Sequence, residues 1–155
     1  MDDKLESILA RLRVTPDFAE ADFSDVNACS TDGDNALHSV VRWKDKSAAK
    51  VLIDAGINVN KAGDLGYTPL HVACIQGDLE MVRLLIENGA DLFAMSEGDT
   101  PFTSARLARN DHVCDLIGPL MKQMQSRDPH IWVRARIAQL QREIAGLERR
   151  IKTES

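Results

Sequence analysis

Three observations predict an all-α solenoid of stacked helix-turn-helix units. The first is self-similarity: "DVNACSTDGDNALHSVV" from Asp25 and "NVNKAGDLGYTPLHVAC" from Asn58 align without a gap at an offset of 33 residues. The second is periodicity: Met81, Val82, Leu84, Leu85 and Ile86 recur at the spacing of a helix with one buried stripe. The third is punctuation. Thr68-Pro69 puts a capping hydroxyl before a proline at the first helical position, Gly77 suits a tight interhelical turn, and Asn88-Gly89 tolerates left-handed backbone at a helix end. No single copy can bury its apolar face alone, so the stack is the stable unit.

Taken along the chain, residues 1–126 form the repeat domain. Residues 2–23 read as a degenerate capping repeat, with Leu5, Ile8, Leu9 and Leu12 on one helical face and a second short helix starting at Thr15-Pro16. The copies are 24–57, 58–90 and 91–126, the last one residue shorter in its turn. Leu70, Ala73 and Cys74 face inward on the middle inner helix, where small residues allow close stacking. Lys44 and Arg109 stand where the middle copy has Gly77; a left-handed turn there would cost each roughly 1 kcal/mol. Gly118-Pro119 is expected to interrupt the last outer helix.

The stretches "DGDNALH", "GYTPLHVA" and "GDLEMVRLLIENGAD" resemble the ankyrin repeat, over about residues 24–117. The resemblance implies two antiparallel helices per copy and a loop reaching to a hairpin-like tip. It implies that His38 and His71 hydrogen-bond the backbone of neighbouring loops. It also implies a function: binding another protein through the tips and the inner-helix face.

Residues 127–155 form a separate amphipathic helix, opening at Asp128-Pro129. Val133, Ile137, Leu140, Ile144, Leu147 and Ile151 alternate at spacings of four and three, a heptad seam. Three uses are open: folding back on the last repeat, pairing with a second copy, or binding a partner's helix. Fewer than four heptads is marginal alone, so the seam requires something to pack on.

Composition narrows the function. The chain of 155 residues has 44% apolar and 28% charged residues and a net charge of −5. Residues 1–34 carry −6 and residues 127–155 carry +3. An acidic body argues against nucleic acid, which requires a basic face. No apolar run is long enough to span a membrane, and the start lacks the basic and apolar regions of a signal peptide. Three widely spaced cysteines make neither a disulfide framework nor a zinc spacing, which suits a reducing cytoplasm.

His71 and Cys74, three apart on one helix, could suggest a metal site or a nucleophile with its base. The copy one repeat earlier argues otherwise: His38 repeats the histidine, and Val41 fills the cysteine's slot. No GxSxG, HExxH or phosphate loop occurs. The expectation is therefore a non-enzymatic binding module with no metal and no cofactor.

The resemblance assigns the contact residues. At the tips are Asp32 and Asp34, then Asp64, Leu65 and Tyr67, then Ser96, Glu97 and Asp99. On the inner helices are Arg42 and Trp43, Ile75 and Gln76, and Leu107. Trp43 beside Arg42 has the composition of an interface hot spot, and acidic tips would steer a basic partner. A small adaptor or inhibitor, such as an immunity-type protein neutralising a toxin, is the expected role. The alternative is a scaffold that self-associates as a homodimer through the heptad helix.

Overall fold

The computed structural model describes residues 3–153. Residues 1, 2, 154 and 155, which end the expected cap and the two expected segments, lie outside the described residues. The all-α stack expected from the sequence is what the structure shows. Among the described residues eight α-helices run in order: α1 Asp3–Arg13, α2 Ala36–Arg42, α3 Lys46–Asp54, α4 Pro69–Gln76, α5 Leu79–Glu87, α6 Pro101–Leu107, α7 Asp111–Arg127 and α8 Ile131–Thr153. Helices α2, α4 and α6 form an inner row, and α3, α5 and α7 an outer row, with α1 against α3 at one end.

Local chemistry sets the helix starts. Asn35 caps α2 by accepting from the Leu37 N–H at 3.2 Å, so it replaces the threonine of the middle copy. Asp45 and Asp78 cap the outer helices by accepting from Ala48 and Met81. The inner helices bury Leu37, Val40 and Val41, then Leu70, Ala73 and Cys74, then Ala105; the outer ones bury Leu52, Met81, Val82, Leu85, Val113 and Ile117.

The interhelical turns are left-handed in all three copies: Lys44 has φ 56°, Gly77 φ 67° and Arg109 φ 59°. Only the middle copy uses the residue suited to it.

Three details differ from the expectation. Thr15-Pro16 starts a single 3-10 turn, Pro16–Phe18, and not a helix. The Thr15 hydroxyl donates back to the Leu12 carbonyl at 2.7 Å, so it closes α1 and leaves the 3-10 turn uncapped. Helix α7 runs unbroken through Pro119. Buried Ile117 and Met121 hold both sides of the proline to the core, and Gly118 lets α7 pass α6 where a Cβ would lie 3.3 Å from Phe102. Finally, α8 begins at Ile131, after a turn in which Asp128 accepts from the His130 N–H.

Helix α8 folds back on the stack. Trp132 meets Phe93 edge-on at 4.8 Å between ring centroids, Gln139 is buried, and Arg142 donates to the Met95 carbonyl at 3.0 Å. The docked face is therefore not the heptad seam. Val133, Ile137, Leu140, Ile144, Leu147 and Ile151 are between 40% and 65% exposed.

Candidate protein-binding surface

The tips are built from short backbone turns. Ser30 N–H donates to Asp34, Gly63 N–H to Tyr67, and Ser96 N–H to Asp99, at 2.7 to 2.9 Å. A ladder of side chains then ties each loop to the next. Asn27 accepts from Asn58 N–H and Asn60 from Asp91 N–H, both at 2.7 Å. The amide groups of Asn35 and Asn60 donate onward to the Asn58 and Gly89 carbonyls.

The repeated histidines belong to this ladder. His71 Nδ1 accepts from the Thr68 N–H at 3.1 Å and hydrogen-bonds its hydroxyl at 2.9 Å. Its Nε2–H then donates to the Asp99 carbonyl of the next tip at 3.3 Å. His38 Nδ1 likewise accepts from the Asn35 N–H at 3.1 Å, and its Nε2–H donates to the Tyr67 carbonyl at 2.9 Å. Each ring thereby spends both nitrogens on protein partners. Burial lowers the pKa of His38, and takes that of His71 to about 4, so both are neutral at pH 7. Cys74 is fully buried, and burial pushes its thiol up to about 12. A neutral buried thiol is no nucleophile. Among the described residues, no three His, Cys, Asp or Glu side chains converge as a metal site.

The proposed contact residues divide by exposure. At the tips Asp32, Asp64, Leu65 and Glu97 are exposed. Leu65 and Glu97 occupy equivalent positions and hold left-handed backbone, φ 54° and 50°, a conformation that side chains other than glycine adopt with strain. Tyr67 and Asp99 are half-buried, the Tyr67 ring standing edge-on to His71 at 5.4 Å.

Two tip residues are structural. Asp34 is buried; its carboxylate accepts from the Asp64 N–H at 2.9 Å and pairs with Arg42. Burial works against its charge, but the Asp64 hydrogen bond, then His38 and Arg42, outweigh it and hold the carboxyl below the usual range. Ser96 is also buried, and its hydroxyl donates to the Leu65 carbonyl at 2.6 Å. Neither side chain is free to meet a partner, because each is consumed in joining one tip to its neighbour.

On the inner helices Arg42, Ile75 and Leu107 are equivalent by the repeat, and all three are exposed. Neighbouring helices pack about 8–10 Å apart, so these positions form a row across the stack. Trp43 and Gln76 do not join it as free groups. Trp43 is half-buried at the end of α2, with the Arg11 guanidinium 3.9 Å from its ring centroid. Arg11 is itself held by Asp45 at 3.0 Å. The cap thus covers the tryptophan, as an Arg–aromatic contact readily does. Gln76 is half-buried and donates to the Arg42 carbonyl at 3.0 Å, bridging adjacent repeats.

Sequence reasoning missed the polar cleft that α8 makes with the tips. Its volume is about 710 Å³, and Leu65, Met95 and Glu97 face Gln139, Arg142 and Arg149 across it. The only signal was Gln139, a polar residue interleaved with the seam; nothing in the pattern says it is buried. Arg142 and Arg149 also stand on the same cleft as Glu97, so the acidic character of the tips rests mainly on Asp32 and Asp64. Among the described residues, no helix is long and apolar enough to cross a membrane.

Comparison with known proteins fits this geometry. A family model described as ankyrin repeats (3 copies) matches residues 7–96 and 62–123. The human neurogenic locus notch homolog protein 2 is 40% identical over 88 residues, 55% of this chain and 4% of that protein. The human notch homolog protein 1 is 37% identical over 107 residues, 67% of this chain and 4% of that protein. The human protein phosphatase 1 regulatory subunit 27 is 37% identical over 67 residues, 43% of this chain and 44% of that protein. The chain spans less than half the length of each of these relatives. Ankyrin repeats generally bind other proteins, and by the reach of the family match and the ladder of repeated side chains this chain belongs to the ankyrin-repeat family.

Proposed function

We propose that the chain is a non-enzymatic protein-binding module acting as a small adaptor or inhibitor in the cytoplasm. The partner docks on the row Arg42, Ile75 and Leu107 and on the exposed tip residues Asp32, Asp64, Leu65 and Glu97. The observation that carries this reading is that Ile75 and Leu107, at equivalent positions of neighbouring inner helices, are 44% and 69% exposed, with Leu65 60% exposed at a tip. Adjacent exposed aliphatic groups rimmed by charge are the composition of a recognition surface. Asp32 and Asp64 favour a partner with a basic surface. A relative named as a regulatory subunit supports a regulatory role, and neutralising a toxin would be one form of it.

The test is capture of partners from the native host by the wild-type chain and by an Ile75→Asp, Leu107→Asp double variant. Both side chains are exposed, so the variant should melt within a few degrees of wild type while losing the captured protein. Undiminished capture by a folded variant would defeat the reading.

A second reading, a scaffold that self-associates through α8, is favoured by a separate observation: the heptad seam faces solvent while the opposite face of α8 is docked.

A further inference from the structure

We infer that α8 pairs antiparallel with the α8 of a second copy, making a two-fold symmetric dimer with one repeat stack on each outer side. This deepens the self-association reading and is independent of the concave-face reading. Four residues carry it: Ile137, Leu140, Ile144 and Leu147, from 40% to 58% exposed.

Trp132, Ala135, Gln139 and Arg142 set the docked face. At 100° per residue the seam lies roughly 150° around the helix from it. A second helix laid on the seam therefore meets no part of the stack. The docking also supplies what a short coiled coil lacks. An isolated three-heptad helix must order itself on pairing, whereas α8 is already held helical by the Trp132–Phe93 contact and the Arg142–Met95 hydrogen bond.

The seam residues specify the partner. Ile137 and Ile144 occupy the a positions and Leu140 and Leu147 the d positions, so an antiparallel partner packs isoleucine against leucine in each layer. Antiparallel pairing centred on Arg142 sets Ile137 against Leu147 of the second copy and Leu140 against Ile144 of the second copy, each twice by symmetry. Twelve half-exposed aliphatic side chains, counting Val133 and Ile151 at the ends, offer roughly 1,000 Å² of apolar surface, the lower bound for a specific interface.

The charged flanks oppose antiparallel pairing less than parallel pairing. On the flank away from the stack are Arg134, Gln141 and Glu148. Antiparallel pairing brings Arg134 beside Glu148 of the second copy twice; Arg134 already pairs with Asp128, which leaves its charge only partly spent. On the flank nearer the stack, Arg136 meets Arg150 twice and Glu143 meets itself once, three like-charge contacts that oppose pairing. There the neutral Gln139 amide bridges Arg136 and Glu143 within each copy, at 2.7 and 2.8 Å, and holds both side chains along their own helix. Parallel pairing would set Glu143 beside Glu148 twice with no opposite pair at all.

Sedimentation equilibrium on the full chain, up to roughly 100 µM, tests this against a micromolar dissociation constant. Wild type should be a dimer. An Ile137→Asp, Ile144→Asp variant should be a monomer with unchanged helicity, and with unchanged melting at concentrations too low for association; should it lose helicity, Ile144→Ala, Leu147→Ala provides the same comparison. Glu148→Arg should weaken the dimer several-fold, since it faces Arg134 with a like charge. A monomeric wild type, including one whose seam binds only a different protein, overturns the proposal. So does a dimer that survives the seam substitutions, or one that Glu148→Arg tightens, which is the signature of parallel pairing. The Ile75→Asp, Leu107→Asp variant should dimerise like wild type, so failure of the pairing is distinguishable from failure of the concave-face reading.

Discussion

Helices α5 and α8 have the same kind of apolar periodicity and opposite surroundings. In α5 the stripe Met81, Val82 and Leu85 is fully buried between the inner row and the neighbouring outer helices. In α8 the stripe is exposed, and the helix is held instead by a mixed face of one tryptophan, one alanine, one buried glutamine and one arginine. Periodicity identifies which residues share a face of a helix. It does not say what lies opposite that face. In the stack the repeat supplies the opposing surface; on α8, Val133, Ile137, Leu140, Ile144 and Leu147 stay 40% to 58% exposed.

That contrast can be broken or sharpened by experiment. Leu85→Ala removes a fully buried side chain and should destabilise the protein by about 2–5 kcal/mol in urea unfolding. Acid should act next. His71 is neutral when folded, with its pKa lowered by burial to about 4 against 6.5 in the unfolded chain. Its contribution is therefore fully present above pH 6.5 and is lost as the pH falls toward 4, by at most about 3 kcal/mol. His38, shifted in the same direction, adds to the slope. A flat stability curve between pH 4 and 6.5 would contradict the buried neutral pair. Lys44→Gly and Arg109→Gly should each raise stability by roughly 1 kcal/mol by relieving left-handed backbone. Smallest is Ile144→Ala on the exposed seam, which at concentrations too low for association should shift stability by no more than about 0.5 kcal/mol.

Much of the stack is legible in the sequence because its determinants are local and repeated. The offset of 33 places the helices, the Thr68-Pro69 start marks α4, and the recurrence of His38 at His71 identifies a role in the scaffold. What is not legible depends on contacts between copies. Asp32 and Asp34 are two residues apart and chemically identical, yet one is exposed and the other buried. The difference arises because Asp34 meets the backbone of the next tip, which no pattern within its own copy encodes. Trp43 reads as a free contact residue for the same reason. Its exposure is decided by Arg11, thirty-two positions earlier and in the cap, where the repeat has already lost its pattern. Pro119 reads as a break because the local rule is strong, and the buried residues on either side of it override the rule.

Gly63 carries a consequence for how this surface can diversify. Its backbone lies so close to Asp34 that a Cβ there would come within 1.8 Å of the carboxylate oxygen. Any other residue would have to push the first two tips apart, and with them the Asp64 N–H that the same carboxylate holds. The tip of the middle copy is thus divided into a fixed root at Gly63 and a variable crest at Asp64 and Leu65. Variants selected for new partners should accumulate at the crest and leave the root alone, so a library randomised across the whole tip would spend most of its members on chains whose repeats no longer register.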